Sequence, residues 1–216
     1  MNDAQERSLD LLRRILALSR TGLHFTGEQY RSDANRTFDS ERYREMGALA
    51  AELTALHTNA TTRDIVNAWQ ADDGYVTPKI DVRGAAFRDG KILLVRERSD
   101  GKWTLPGGWA DVNETPTEAV EKEIQQESGY VAKVVKLAAV HDRRKRNFPG
   151  SIFYIWKLFF ICELTGGAPR LSDETDGVEF YALDALPELS TGRTVAAQIE
   201  LMRAHDLNRA LPTEFD

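Results

Sequence analysis

GGWADVNETPTEAVEKEIQQESGY, residues 107–130, joins a glycine pair and an acidic turn to a segment with its own helix start and stop signals. Thr115-Pro116-Thr117-Glu118 is a capping box with proline at the first helical position. Gly129 supplies the left-handed residue that ends the helix. At about 100° per residue, Glu123 and Glu127 lie one turn apart on the same face, and Gln126 falls there too. Val120 and Ile124 point elsewhere, toward a core. Carboxylates one turn apart repel each other, and a hard divalent cation such as Mg²⁺ or Mn²⁺ is the usual compensating charge. An ordinary surface helix would need neither the glycine pair nor this cap.

The stretch resembles the Nudix box, G-x5-E-x7-R-E-U-x-E-E-x-G-U with U apolar. Gly108 opens it, Glu114 follows, and Lys122 to Tyr130, KEIQQESGY, closes it. Lys122 replaces the arginine, keeping the charge and losing the planar fork. Gln126 replaces the first glutamate of the final pair, normally a metal ligand, so an uncharged amide oxygen stands there. GLHFTGEQY at 22–30, FDSERYREM at 38–46, TPKIDVRGAAF at 77–87 and the run from Ser99 to Glu123 narrow the likeness. They resemble the bacterial CDP-choline pyrophosphatase branch of Nudix hydrolases, which carries a helical domain before the catalytic one. The resemblance implies an α/β/α sandwich with a mixed sheet.

The rest of the chain agrees with that frame. Residues 6–20 place Leu9, Leu12 and Leu16 at helical spacing, ended by Gly22. Asp39 or Ser40 caps a second helix from Glu41, with Met46 and Leu53 on its apolar side. A third begins at Thr61. Residues 1–73 therefore form a small all-helical domain, 74–79 a linker, and 80–216 the Nudix domain. From Ile80 the period changes to two. Strands are expected over 80–87, 92–95, 131–140, 152–164 and 178–183, with Asp89-Gly90 as a hairpin turn and a last helix starting at Thr191 or Thr194. The near-continuous apolar run to Leu164 marks a central strand. Three short helices bury little apolar surface alone, so the stripe of Leu9, Leu12, Leu16, Met46 and Leu53 predicts a homodimer.

The chain has 28 basic and 34 acidic side chains, a net charge of −6, which argues against a broad nucleic-acid surface. One cysteine, Cys162, excludes an internal disulfide framework. The N-terminus has no apolar signal region, and no apolar run is long enough to span a bilayer. The expected compartment is the cytoplasm.

The chemistry these residues support is hydrolysis of a diphosphate bond, where the barrier is mostly accumulated negative charge. Glu127 is the first choice for metal ligand, with Glu123 as ligand or as base for the attacking water. Gln126 and the carbonyl of Gly107 or Gly108 complete the expected set. The Nudix resemblance implies a further acid from a distant loop, for which Glu174 is preferred. Arg83, Lys102 and Arg144 are the candidates for holding substrate phosphates. The expected substrate is a nucleoside diphosphate linked to another group, CDP-choline-like first and ADP-ribose second. The competing reading, kept alive by Gln126, is a catalytically weakened Nudix fold that binds or senses a nucleotide metabolite.

Overall fold

The computed structural model describes residues 3–26, 36–70, 75–146 and 153–216. The chain divides into two compact units: Met1–Pro78 with Gly150–Tyr154, and Lys79–Pro149 with Ile155–Asp216. The boundary thus falls inside the expected 74–79 linker, whose Gly74 lies outside the described residues. The second unit is not continuous, because Phe153 and Tyr154 cluster with the helices. Phe153 packs against the apolar group of Leu16, Ala50, Ala51 and Ile65. The Tyr154 hydroxyl donates to the Asp10 carbonyl at 3.3 Å.

The helical unit holds α1 (Asp3–Phe25), α2 (Arg36–His57) and α3 (Thr62–Gln70). Two expected ends move. Gly22 does not stop α1; it lies inside the helix, where a Cβ would come within 2.4 Å of the Tyr43 ring. Its role is close helix approach rather than termination. Helix α2 begins at Arg36, so Asp39 sits in its first turn and does not cap a helix at Glu41. Thr61 does start α3, exchanging hydrogen bonds with Asp64.

The second unit is built on β1 (Lys79–Arg88), β2 (Lys91–Glu97), β3 (Trp103–Thr104), β4 (Tyr130–Asp142), β5 (Ile155–Gly167), β6 (Thr175–Tyr181) and β7 (Glu214–Phe215). The strand order is β3-β2-β1-β5-β4-β7, with β6 paired to β2. Strand β5 runs parallel to β1 and antiparallel to β4, so the most apolar strand is internal, as its composition required. Asp89 and Gly90 both adopt positive φ, 50° and 76°, the geometry of a two-residue hairpin turn. Helix α4 (Pro116–Ser128) covers one face of the sheet through Ala119, Val120 and Ile124, packed with Val82, Phe160 and Cys162. Helix α5 (Ala196–Leu207) covers the other through Ile199 and Met202, packed with Ala85, Leu94 and Phe159. This is the α/β/α sandwich with a mixed sheet. Among the described residues no helix is long and apolar enough to cross a membrane.

Candidate active site

The glycine segment before α4 is laid against β1 by main-chain bonds. The Val82 and Gly84 amides donate to the carbonyls of Gly108 and Pro106, at 2.8 and 2.9 Å, and the Ala110 amide donates to the Ile80 carbonyl at 3.0 Å. Gly107 adopts φ 142°, and a Cβ there would fall 2.0 Å from the Val82 carbonyl oxygen. No other residue fits so tight a crossing. Its N–H consequently faces α4 and donates to Glu127 Oε2 at 2.8 Å. A Cβ on Gly108 would sit 3.0 Å from Glu123 Oε1. The glycine pair therefore brings backbone up to both carboxylates. The contact Gly107 makes is through its amide hydrogen rather than its carbonyl.

Helix α4 delivers those carboxylates as its sequence signals require. Both halves of the capping box form, and Gly129 ends the helix at φ 78°. Lys122 donates to Glu114 at 2.7 Å and to Asp111 at 2.9 Å, fastening the acidic turn to the helix. Lysine thus clasps the box glutamate without a planar fork.

Glu127 is 4% exposed. Burial pushes its carboxyl up to about 8; Arg83 and the Gly107 amide oppose that, while Glu123 and Glu97 reinforce it. Burial also raises Glu123 above the ordinary carboxylate range, opposed by Lys122 and Arg83. Glu123, Gln126 and Glu127 line a cleft of about 420 Å³ whose other wall is the segment from Arg170 to Glu174. That segment is tied to the end of α4: the Arg170 amide donates to the Ser128 carbonyl at 2.9 Å, and the Thr175 hydroxyl to the Glu127 carbonyl at 2.7 Å. Glu174 therefore shares a cleft with the helix acids despite lying 47 residues from Glu127 in sequence.

The donors on the helix side of this cleft are oxygens, two carboxylates and an amide, which suits a hard cation such as Mg²⁺ or Mn²⁺ and not a soft one. A raised carboxyl beside a second acid is the mark of a site short of positive charge. Among the described residues no three His, Cys, Asp or Glu side chains converge within ligating range. Gln126, a main-chain oxygen or water would have to complete the shell.

The three expected phosphate-binding cations are committed elsewhere. Arg83 is 4% exposed and forks onto Asp81 through two 2.9 Å bonds, with a third bond to the Leu105 carbonyl at 3.1 Å. Burial and this fork exclude it as a phosphate clamp. Lys102 is paired with Glu188 at 2.7 Å, and Arg144 with Asp142 in its own turn. Neither borders the cleft.

Sequence reasoning missed a buried layer behind the acids. Asp81 also receives Lys157 at 2.7 Å, its partner across the parallel β1–β5 register. Two cations hold Asp81 below its usual range in spite of burial. Burial, together with Arg83, brings Lys157 down to about 8. Asp81 and Arg83 alternate along β1 and Lys157 interrupts an apolar strand, so a signal was present. Glu97, 7% exposed and paired with Arg193 at 3.1 Å, had none.

Residues 78–203 match the model of the NUDIX domain. Residues 6–69 match that of the UDP-X-like, N-terminal oligomerisation domain. The chain belongs to the Nudix family, and with it to the pyrophosphohydrolase class of enzyme. It is 38% identical over 202 residues to the putative ADP-ribose pyrophosphatase YjhB of Bacillus subtilis, covering 94% of this chain and 93% of that one. An ADP-ribose pyrophosphatase from Streptococcus suis, a solved structure, covers 65% of this chain and all of its own, at 38% identity and a TM-score of 0.61. A solved UDP-X diphosphatase covers 98% of this chain and 99% of its own, at 32% identity and a TM-score of 0.61.

Proposed function

We propose that the cleft between α4 and the 170–174 segment hydrolyses the diphosphate bond of a nucleoside diphosphate linked to another group, with Mg²⁺ or Mn²⁺ as cofactor. The observation that carries this reading is the meeting of Glu123 and Glu127 in one cleft, with the Gly107-Gly108 backbone brought up against both carboxylates. A divalent ion bound there would neutralise the phosphates and lower the pKa of the attacking water. Glu127 would be its principal ligand, and Gln126 would contribute an uncharged oxygen. Glu123 serves as a further ligand or takes the proton from water as the new P–O bond forms. Glu174 approaches from the opposite wall as the further acid. The old P–O bond breaks on the side of the departing phosphomonoester, giving two phosphorylated products.

The names of the relatives bring ADP-ribose and UDP-linked compounds ahead of CDP-choline as substrates for this chain. The test is a product screen over ADP-ribose, a UDP-sugar and CDP-choline with Mg²⁺ or Mn²⁺. Release of a nucleoside monophosphate from at least one of them, only with metal, is expected. A protein that binds these compounds and turns over none at any metal concentration would favour the second reading. Gln126 supports that reading: a binding or sensing protein on a weakened box. The matched N-terminal domain supports a homodimer.

A further inference from the structure

We propose that Arg170 is a substrate-binding residue whose guanidinium takes the diphosphate of the substrate; this rests on the hydrolase reading above. The cleft presents Glu123, Glu127, Asp173 and Glu174, and among the described residues Arg170 is the only basic side chain on its lining. A diphosphate entering there meets four acids. A metal ion offsets part of that repulsion at the helix, and the opposite wall needs a cation of its own.

The other cations considered for that task are already spent. Arg83 is closed by Asp81, Lys102 by Glu188 and Arg144 by Asp142. Arg96 is held by Asp176, and Arg193 by Glu97 and Asp100. Arg98 reaches the same loop but gives its Nε to the Ser172 carbonyl. Among the described residues the Arg170 guanidinium has no ion pair or hydrogen bond, although acids share its cleft.

Its main chain, by contrast, is fixed. The amide bond to Ser128 sets it on the end of α4. A Cβ on Gly129 would lie 2.7 Å from the Arg170 Cβ, so the approach is close enough to require glycine there. The Ser172 hydroxyl, bonded to the amides of Glu174 and Thr175, stiffens the following turn. A guanidinium on a fixed stem, exposed and unpaired, keeps its five donors for a ligand. Its planar fork matches two phosphate oxygens.

The test compares Arg170→Ala and Arg170→Lys with the wild type on whichever diphosphate is hydrolysed. Arg170→Ala is expected to raise KM roughly tenfold or more with kcat changed less than about threefold, and Arg170→Lys to fall between. Because the side chain is exposed and unpaired, the thermal midpoint stays put. Calorimetric binding of inorganic pyrophosphate with Mg²⁺ gives a readout independent of turnover, and Arg170→Ala is expected to weaken it by a similar factor. Weakened pyrophosphate binding in a protein that hydrolyses nothing in the panel would sink the hydrolase reading and uphold Arg170. An unchanged KM, or pyrophosphate affinity equal to wild type, overturns the assignment.

Discussion

Burial pushes the Glu127 carboxyl up to about 8, with neighbouring Glu123 adding to the rise and the amide hydrogen it receives from Gly107 opposing it. In the metal-free protein the unfolded chain therefore ionises first as pH climbs. The contribution of this one group to stability is fully present below the ordinary value of 4.5 and is lost as pH rises through about 8. A cation needs the ionised form and must displace that proton. The expected outcome is an apparent Mg²⁺ affinity that rises between about pH 6 and 8 and then levels, measured by calorimetry at several pH values. A flat affinity across that range would count against Glu127 as a ligand. Glu127→Gln removes the charge and should lower kcat/KM by about 10² or more, the loss of several kcal/mol of transition-state stabilisation. Full turnover in saturating Mg²⁺ would refute the role. Gln126 is exposed on the same cleft. Gln126→Glu adds a charge beside the cation without lengthening the side chain, so the metal midpoint should move to lower concentration. An unchanged midpoint means that residue 126 does not touch the ion.

The elements differ in what their local sequence declares. Helix α4 was legible from end to end because its cap, proline, apolar face and terminal glycine are all local signals. Strand β5 was legible as a centre because a run buried on both faces must be apolar throughout. Strand β7 was not, since two residues, Glu214 and Phe215, pair with β4 only once the fold exists. The acids of the site announced themselves in one helix. The cations did not, because whether an arginine is free depends on what the tertiary fold puts beside it. Arg83 is consumed by Asp81 two residues away, whereas Arg170, which no local signal singles out, is left open in the loop after β5. Strand β1 holds the consequence. Asp81 is the acid to which both buried cations are bonded, so Asp81→Ala removes their shared counter-charge and should cost about 3–5 kcal/mol. Denaturant unfolding checks this, and a loss under about 1 kcal/mol would show that the pairing adds little.

At the scale of the whole molecule, the apolar stripe expected to seek a partner is partly used up inside the chain. Leu9, Leu12 and Leu16 are all at most 6% exposed. A different set is left in solvent: Leu11, Ile15 and Leu18 on α1, and Leu49, Leu53 and Leu56 on α2, each between 37% and 78% exposed. Both triplets follow the spacing i, i+4, i+7, so each forms one strip along its helix. Only Leu53 of the originally expected stripe belongs to this outer set. Two such strips on one small unit are costly in water and suit a two-fold interface, where each face meets its own copy. The match of residues 6–69 to an oligomerisation domain points the same way. The expected outcome in light scattering at micromolar concentration is a particle of twice the 24.3 kDa chain mass. Ile15→Glu with Leu53→Glu places charges in both strips and should return it to the single-chain mass. Those side chains are on the surface of the monomer, so the variant should keep its helical content by circular dichroism. A wild type that already scatters as a single chain would overturn the dimer. A double variant that stays dimeric would move the interface to another face of the chain.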